Sequence, residues 1–205
     1  MKKLFLTSSF NNVAKLFSEF ASEDIQGKTV TFIPTAALHE EVNFYVKSGR
    51  KALEKLGLIV DELEVSTATR AEIENKLQQC HYIYVSGGNT FFLLQELQKT
   101  GADKIIIEQI ESGKLYIGES AGSMILSPNI EYVKDMDDCR EAPELNHFDA
   151  LNVIDFYPLP HQNAFPFKKT VDSIISKHSA TLPLRPITNS QVILVDGGGI
   201  KISEC

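Results

Sequence analysis

The string Gly118-Glu119-Ser120-Ala121-Gly122 has the G-x-S-x-G spacing of a tight strand-to-helix turn that lifts a serine hydroxyl clear of a parallel sheet. Glycines flank the serine where side chains would collide. With 12 glycines in 205 residues, chance would supply about 0.05 such strings in a chain of this composition. The apolar run Leu115-Tyr116-Ile117 leads into the motif. Ser123-Met124-Ile125-Leu126 can continue as a helix whose N-terminus favours an anion. A serine hydroxyl is a weak nucleophile until an imidazole takes its proton, so one of the five histidines must serve. His39 and His81 read as surface and strand-edge residues, His178 suits the end of a helix, and His147 lies in a polar stretch. His161 follows Phe156-Tyr157-Pro158-Leu159-Pro160, whose two prolines fix the backbone just ahead of the ring, and it is the expected base.

An imidazole acting as base needs a partner that holds its tautomer. Asp135, Asp137, Asp138, Asp149 and Asp155 are candidates, and spacing alone does not choose among them. Acyl transfer also requires backbone N–H donors for the oxyanion. Ala121, directly after the serine, supplies one, and Gly88 in Ser86-Gly87-Gly88-Asn89 is the preferred second. Asn89 equally suits the N-cap of the helix that follows. The same loop lacks the spacing of a phosphate-binding loop.

These residues require a scaffold that brings strand ends together. Short β-type runs (Leu4–Leu6, 29–33, 58–60, Tyr82–Val85, 115–117) alternate with helical periods (11–20, 39–56, 71–77, a long helix after Thr90 ending near Gly101, 105–110, 165–177). That alternation predicts an α/β fold: a mostly parallel sheet with helices on both faces, in one domain spanning 1–205. Residues 191–195 and 200–202 around Gly197-Gly198-Gly199 read as a terminal hairpin. Between Asn129 and Phe156 the period weakens, as in functional loops.

Composition narrows the partners. Twenty Lys and Arg against 27 Asp and Glu leave a net charge of −7, which repels phosphate backbones, so nucleic acid is not expected as a partner. Cys80, Cys139 and Cys205 are scattered and encode neither a disulfide framework nor a zinc site, which suits a reducing, cytoplasmic setting. No run approaches 18 apolar residues, and the apolar start stops at Thr7-Ser8-Ser9, so neither a membrane span nor a signal peptide is expected.

Gly87-Gly88-Asn89-Thr90-Phe91 followed by Leu93-Leu94, then Gly118–Gly122, Asp135-Met136 and Pro160-His161, resemble in order and spacing the peptidase E (aspartyl dipeptidase) family of serine peptidases and its cyanophycinase relatives. The resemblance implies a fold similar to class I glutamine amidotransferases, with Ser120 in place of their cysteine. It also implies hydrolysis of short peptides through an acyl-enzyme without metal or cofactor, by a monomer or homodimer. The family's Asp-Met pair falls on Asp135-Met136, which makes Asp135 the implied third triad member beside Ser120 and His161. Asn89, Glu119, Lys168 and Lys169 are the expected substrate-binding residues. Where arginines would receive an acidic side chain, this chain has Phe165-Pro166-Phe167-Lys168-Lys169, and lysine offers a point charge rather than a planar fork. Dipeptides with an N-terminal Asp are thus one expectation among short peptides. The alternatives are a non-catalytic ligand-binding domain of the same fold and a small esterase.

Overall fold

The structure is a computed structural model that describes all residues, 1–205. Its centre is a seven-stranded sheet in the order β3-β2-β4-β5-β1-β8-β9. The strands are β1 (Lys3–Thr7), β2 (Thr29–Ile33), β3 (Ile59–Glu62), β4 (Tyr82–Val85), β5 (Leu115–Glu119), β8 (Gln191–Asp196) and β9 (Gly199–Glu204). β1 to β5 run parallel, whereas β8 pairs antiparallel with β1 and then with β9. β6 (Tyr157–Leu159) and β7 (Leu184–Pro186) form a separate short parallel pair. The expected α/β fold and terminal hairpin are both present, and the apolar start of the chain is the interior strand β1, between β5 and β8.

Each face of the sheet carries its own core. On one side α1 (Phe10–Ala21) and α2 (Phe44–Lys55) cover an aromatic cluster of Phe5, Phe10, Phe17, Phe32, Tyr82 and Tyr84. Phe32 stacks on Tyr84 with centroids 4.8 Å apart. On the other side lie α3 (Arg70–Gln79), α4 (Thr90–Thr100), α5 (Ala102–Glu111), the short α6 (Ala121–Met124) and α7 (Lys168–His178), over an aliphatic core that includes Ile83, Val85, Leu93, Leu94, Leu97 and Ile106. The β-branched and aromatic residues of β4, buried on both faces, are what a central parallel strand requires. No helix is long and apolar enough to cross a membrane.

The helix expected after Thr90 ends at Gly101 as read from the sequence, and the left-handed backbone of that glycine (φ 74°) closes α4 and starts α5. Two departures from the sequence expectations are local. The helix expected over 39–56 starts only at Phe44, after a 3₁₀ turn at Thr35–Ala37, and Leu38 and Val42 ahead of it remain exposed. β7 is three residues long and ends in a proline, too short to show a period. The segment from 129 to 156 has little regular structure beyond two 3₁₀ turns, yet Ile130, Tyr132, Val133, Leu151, Val153 and Phe156 anchor it to the core.

Candidate active site

β5 and β4 end side by side, and the turns that follow them meet. Ser120 sits at the elbow between β5 and α6 with φ 49° and ψ −106°, a backbone state that costs a non-glycine residue about 1–3 kcal/mol and persists only where the surroundings enforce it. The enforcement is visible. Ser120 N–H donates to the Thr7 carbonyl at 2.8 Å, and the buried Ser123 hydroxyl lies 2.9 Å from the carbonyls of both Thr7 and Gly118. The flanking glycines are required by space: a β-carbon at Gly118 would stand 2.5 Å from the Gly122 carbonyl oxygen, and one at Gly122 would stand 2.1 Å from that of Val85.

Ser120 Oγ lies 2.9 Å from His161 Nε2. His161 Nδ1 in turn lies 3.0 Å from Asn189 Oδ1. A carbonyl oxygen can only accept, so Nδ1 carries the ring proton and Nε2 presents its lone pair to the serine hydroxyl. Burial pushes the imidazole below its ordinary pKa of 6.5, while the Asn189 hydrogen bond opposes that shift. The ring is therefore neutral at pH 7, the state a general base needs. Phe167 stacks on it at 4.7 Å between centroids and 23° between planes, closing one face.

The loop after β4 faces the elbow. Gly88 has φ 135°, and a β-carbon there would fall 2.1 Å from the Ala36 carbonyl oxygen, so only glycine fits. A β-carbon at neighbouring Gly87 would stand 3.2 Å from Ser120 Cβ and 3.5 Å from Tyr45 Cε2, so this loop lies against the nucleophile and the Tyr45 ring lies against the loop. The N–H groups of Gly88 and Ala121 donate to no protein acceptor. Beyond Asn89 opens a cavity of about 510 Å³ lined by Glu40, Glu41, Asp137, Asp138, Glu141 and His39 among others. Asp137 accepts from both the N–H (2.9 Å) and the hydroxyl of Thr90, and burial lifts its carboxyl to a pKa of about 6.

The structure brings Ser120, His161, Gly88 and Ala121 into one region, but it corrects other expectations. Asp135 does not hold His161: it is exposed and its carboxylate pairs with Lys177 on α7. Asn189, just ahead of β8, occupies that role instead. Glu119 does not face the site. Its carboxyl is buried behind the elbow, where it accepts from Phe10 N–H (2.8 Å) and from the Tyr84 hydroxyl (2.6 Å), and burial raises its pKa to about 7. Asn89 uses its carbonyl to cap α4 through the N–H groups of Phe91 and Phe92, and its amide donates to the Asp138 carbonyl, so its polar atoms are already engaged. Lys168 and Lys169 are exposed at the start of α7, following the Phe167 that covers His161. Phe167, Asn189 and Tyr45 were not anticipated as site residues.

Comparison with known proteins gives the family of the chain. An uncharacterized peptidase of Listeria monocytogenes is 55% identical over 197 residues, covering 96% of each chain. Peptidase E of Shigella flexneri is 32% identical over 170 residues, covering 80% of this chain and 71% of its own length. A crystal structure of a Peptidase E-type protein from Listeria monocytogenes superposes with a TM-score of 0.96 at 53% identity, over 100% of this chain and 99% of that one. The family model of Peptidase family S51 matches residues 4–203, and on that match together with these relatives the chain belongs to peptidase family S51, a family of serine-type peptidases.

Proposed function

We propose that the protein hydrolyses short peptides through an acyl-enzyme formed on Ser120. The contact of 2.9 Å between Ser120 Oγ and His161 Nε2 carries this reading. His161 takes the hydroxyl proton as Ser120 attacks the scissile carbonyl, the N–H groups of Gly88 and Ala121 receive the oxyanion, and His161 returns the proton to the leaving amine. Water then repeats the sequence on the acyl-enzyme. Asn189 holds the tautomer but brings no charge to the imidazolium. No step calls for a metal or cofactor.

The acidic wall beside Asn89 shapes the substrate reading. A carboxylate side chain entering that cavity meets Glu40, Glu41, Asp137, Asp138 and Glu141, and like charges in a cleft repel. Taking this cavity, which adjoins Gly88 through Asn89, as the pocket for the N-terminal side chain, peptides with an N-terminal Asp are disfavoured relative to neutral or basic ones. The test is a panel of dipeptides together with a fluorophosphonate probe. The unaltered protein is expected to be labelled at Ser120, and Ser120→Ala is expected to lose hydrolysis by about 10⁴-fold or more. Full hydrolysis by Ser120→Ala would refute the reading.

A further inference from the structure

The nucleophile, the base and the residue that orients the base come from three distant parts of the chain, and Ser8, beside the residue that holds the Ser120 N–H, bonds to the segments of the other two. This buried serine, 2% exposed, follows directly on β1. Its hydroxyl accepts from the His161 backbone N–H at 3.0 Å and donates to the Ile187 carbonyl at 3.1 Å. The first bond holds a residue whose own backbone is left-handed (φ 65°), a conformation that needs fixing from outside. The second holds Ile187, which directly follows β7 and stands two residues before Asn189, and whose carbonyl also accepts from Gln162 N–H at 2.9 Å. The residues around Ser8 bind the elbow itself: Thr7 accepts from Ser120 N–H, and Phe10 N–H donates to Glu119.

We propose that Ser8 is a positioning residue for the catalytic pair, a role that rests on the Ser120–His161 reading above. Through one hydroxyl it sets the height of the imidazole above the elbow and keeps Asn189 within reach of Nδ1. Without it, the 160–162 and 187–189 segments stay bonded to each other through Gln162 and Ile187 but lose their common anchor at the end of β1, and the Oγ to Nε2 contact loosens. A displacement of about 1 Å at a reacting pair is enough to cost about 100-fold in rate.

The experiment compares Ser8→Ala, Ser8→Thr and a control, Thr31→Val. Thr31 is a fully buried hydroxyl on β2 whose one hydrogen bond goes to the Lys76 carbonyl, and removing it tests what loss of a buried hydrogen bond does by itself. The readouts are kcat and KM for p-nitrophenyl acetate, the rate of fluorophosphonate labelling of Ser120, and the acid limb of the pH profile. Ser8→Ala is expected to lower kcat and the labelling rate together by tenfold or more with KM unchanged, and to move the acid limb as Asn189 loses its hold on the ring. Thr31→Val is expected to change neither rate, and Ser8→Thr, which keeps the hydroxyl, to recover at least part of the loss. Unaltered kcat and labelling in folded Ser8→Ala, or an equal loss in Thr31→Val, would overturn the role of Ser8 while leaving Ser120 as nucleophile. Hydrolysis retained by Ser120→Ala would instead overturn the reading beneath it.

Discussion

Replacing Asn189 separates the neutral orienting group seen here from the carboxylate expected at that place. In Asn189→Ala the Nδ1–H of a largely buried imidazole loses its acceptor at 3.0 Å. A buried donor left without a partner costs about 1–3 kcal/mol. If that cost falls on the transition state, where Nδ1–H carries more positive charge, kcat/KM drops by about 5- to 160-fold at about 1.4 kcal/mol per decade. Asn189→Asp keeps the acceptor and adds a negative charge, which favours the protonated imidazole. The sign follows directly. In the unaltered protein burial holds His161 below 6.5, so the base is neutral and active to slightly acidic pH; in Asn189→Asp the ring's pKa rises and the acid limb moves to higher pH. The assay is kcat/KM against pH for all three proteins, with thermal melts to show that each is folded. An acid limb that stays in place in Asn189→Asp, or an Asn189→Ala protein with undiminished kcat/KM, would refute the assignment.

Gly88→Ala places a methyl group where the Ala36 carbonyl oxygen already stands, at 2.1 Å, and forces φ away from 135°. The N–H is re-aimed, and loss of one oxyanion donor lowers kcat by about 10²–10³-fold, measured at saturating substrate in folded protein. Asp135→Asn breaks an exposed pair with Lys177 and should change stability by no more than about 1 kcal/mol by chemical denaturation. Its hydrolysis rate should stay at the level of the unaltered protein, since Asp135 touches no member of the site; a loss like that of Asn189→Ala would restore it as the orienting acid. In a matched dipeptide panel, kcat/KM should rise in the order Asp-X, neutral-X, Lys-X, and the spread should shrink as salt is raised, because exposed charges are screened within about 8–10 Å at moderate ionic strength. A panel led by Asp-X would contradict the acidic wall.

What could be read from the sequence were the parts in which neighbouring residues constrain one another. The elbow is legible because Gly118 and Gly122 are demanded by carbonyls within 2.5 Å, a local constraint that leaves a local pattern. His161 is legible through the prolines ahead of it, and the alternation of strands and helices through burial on both faces of the sheet. Asn189 was hidden. It is one amide 28 residues beyond the histidine, in a turn shaped by the pairing of β8 with β1. Asp135 is implied as the orienting acid only by the match of Asp135-Met136 to the family's Asp-Met pair, and such a match says nothing about which helix crosses above; α7 supplies Lys177 there. Glu119, expected as a substrate contact, is the last residue of β5, and in a strand adjacent residues point to opposite faces. Its carboxyl accordingly lies with Tyr84 under the α1 side of the sheet.

The interior place of β1, where the parallel and antiparallel parts of the sheet meet, governs how the protein should fail on heating. The strand is paired along its length to β5 on one side and β8 on the other. Its amides between the two neighbours, and that of Ser120 bonded to Thr7, are expected to exchange with deuterium only when the entire molecule opens. Loss of hydrolysis with temperature should then trace the melting curve itself, with no earlier inactive species in which the sheet survives while its serine has already slipped out of line.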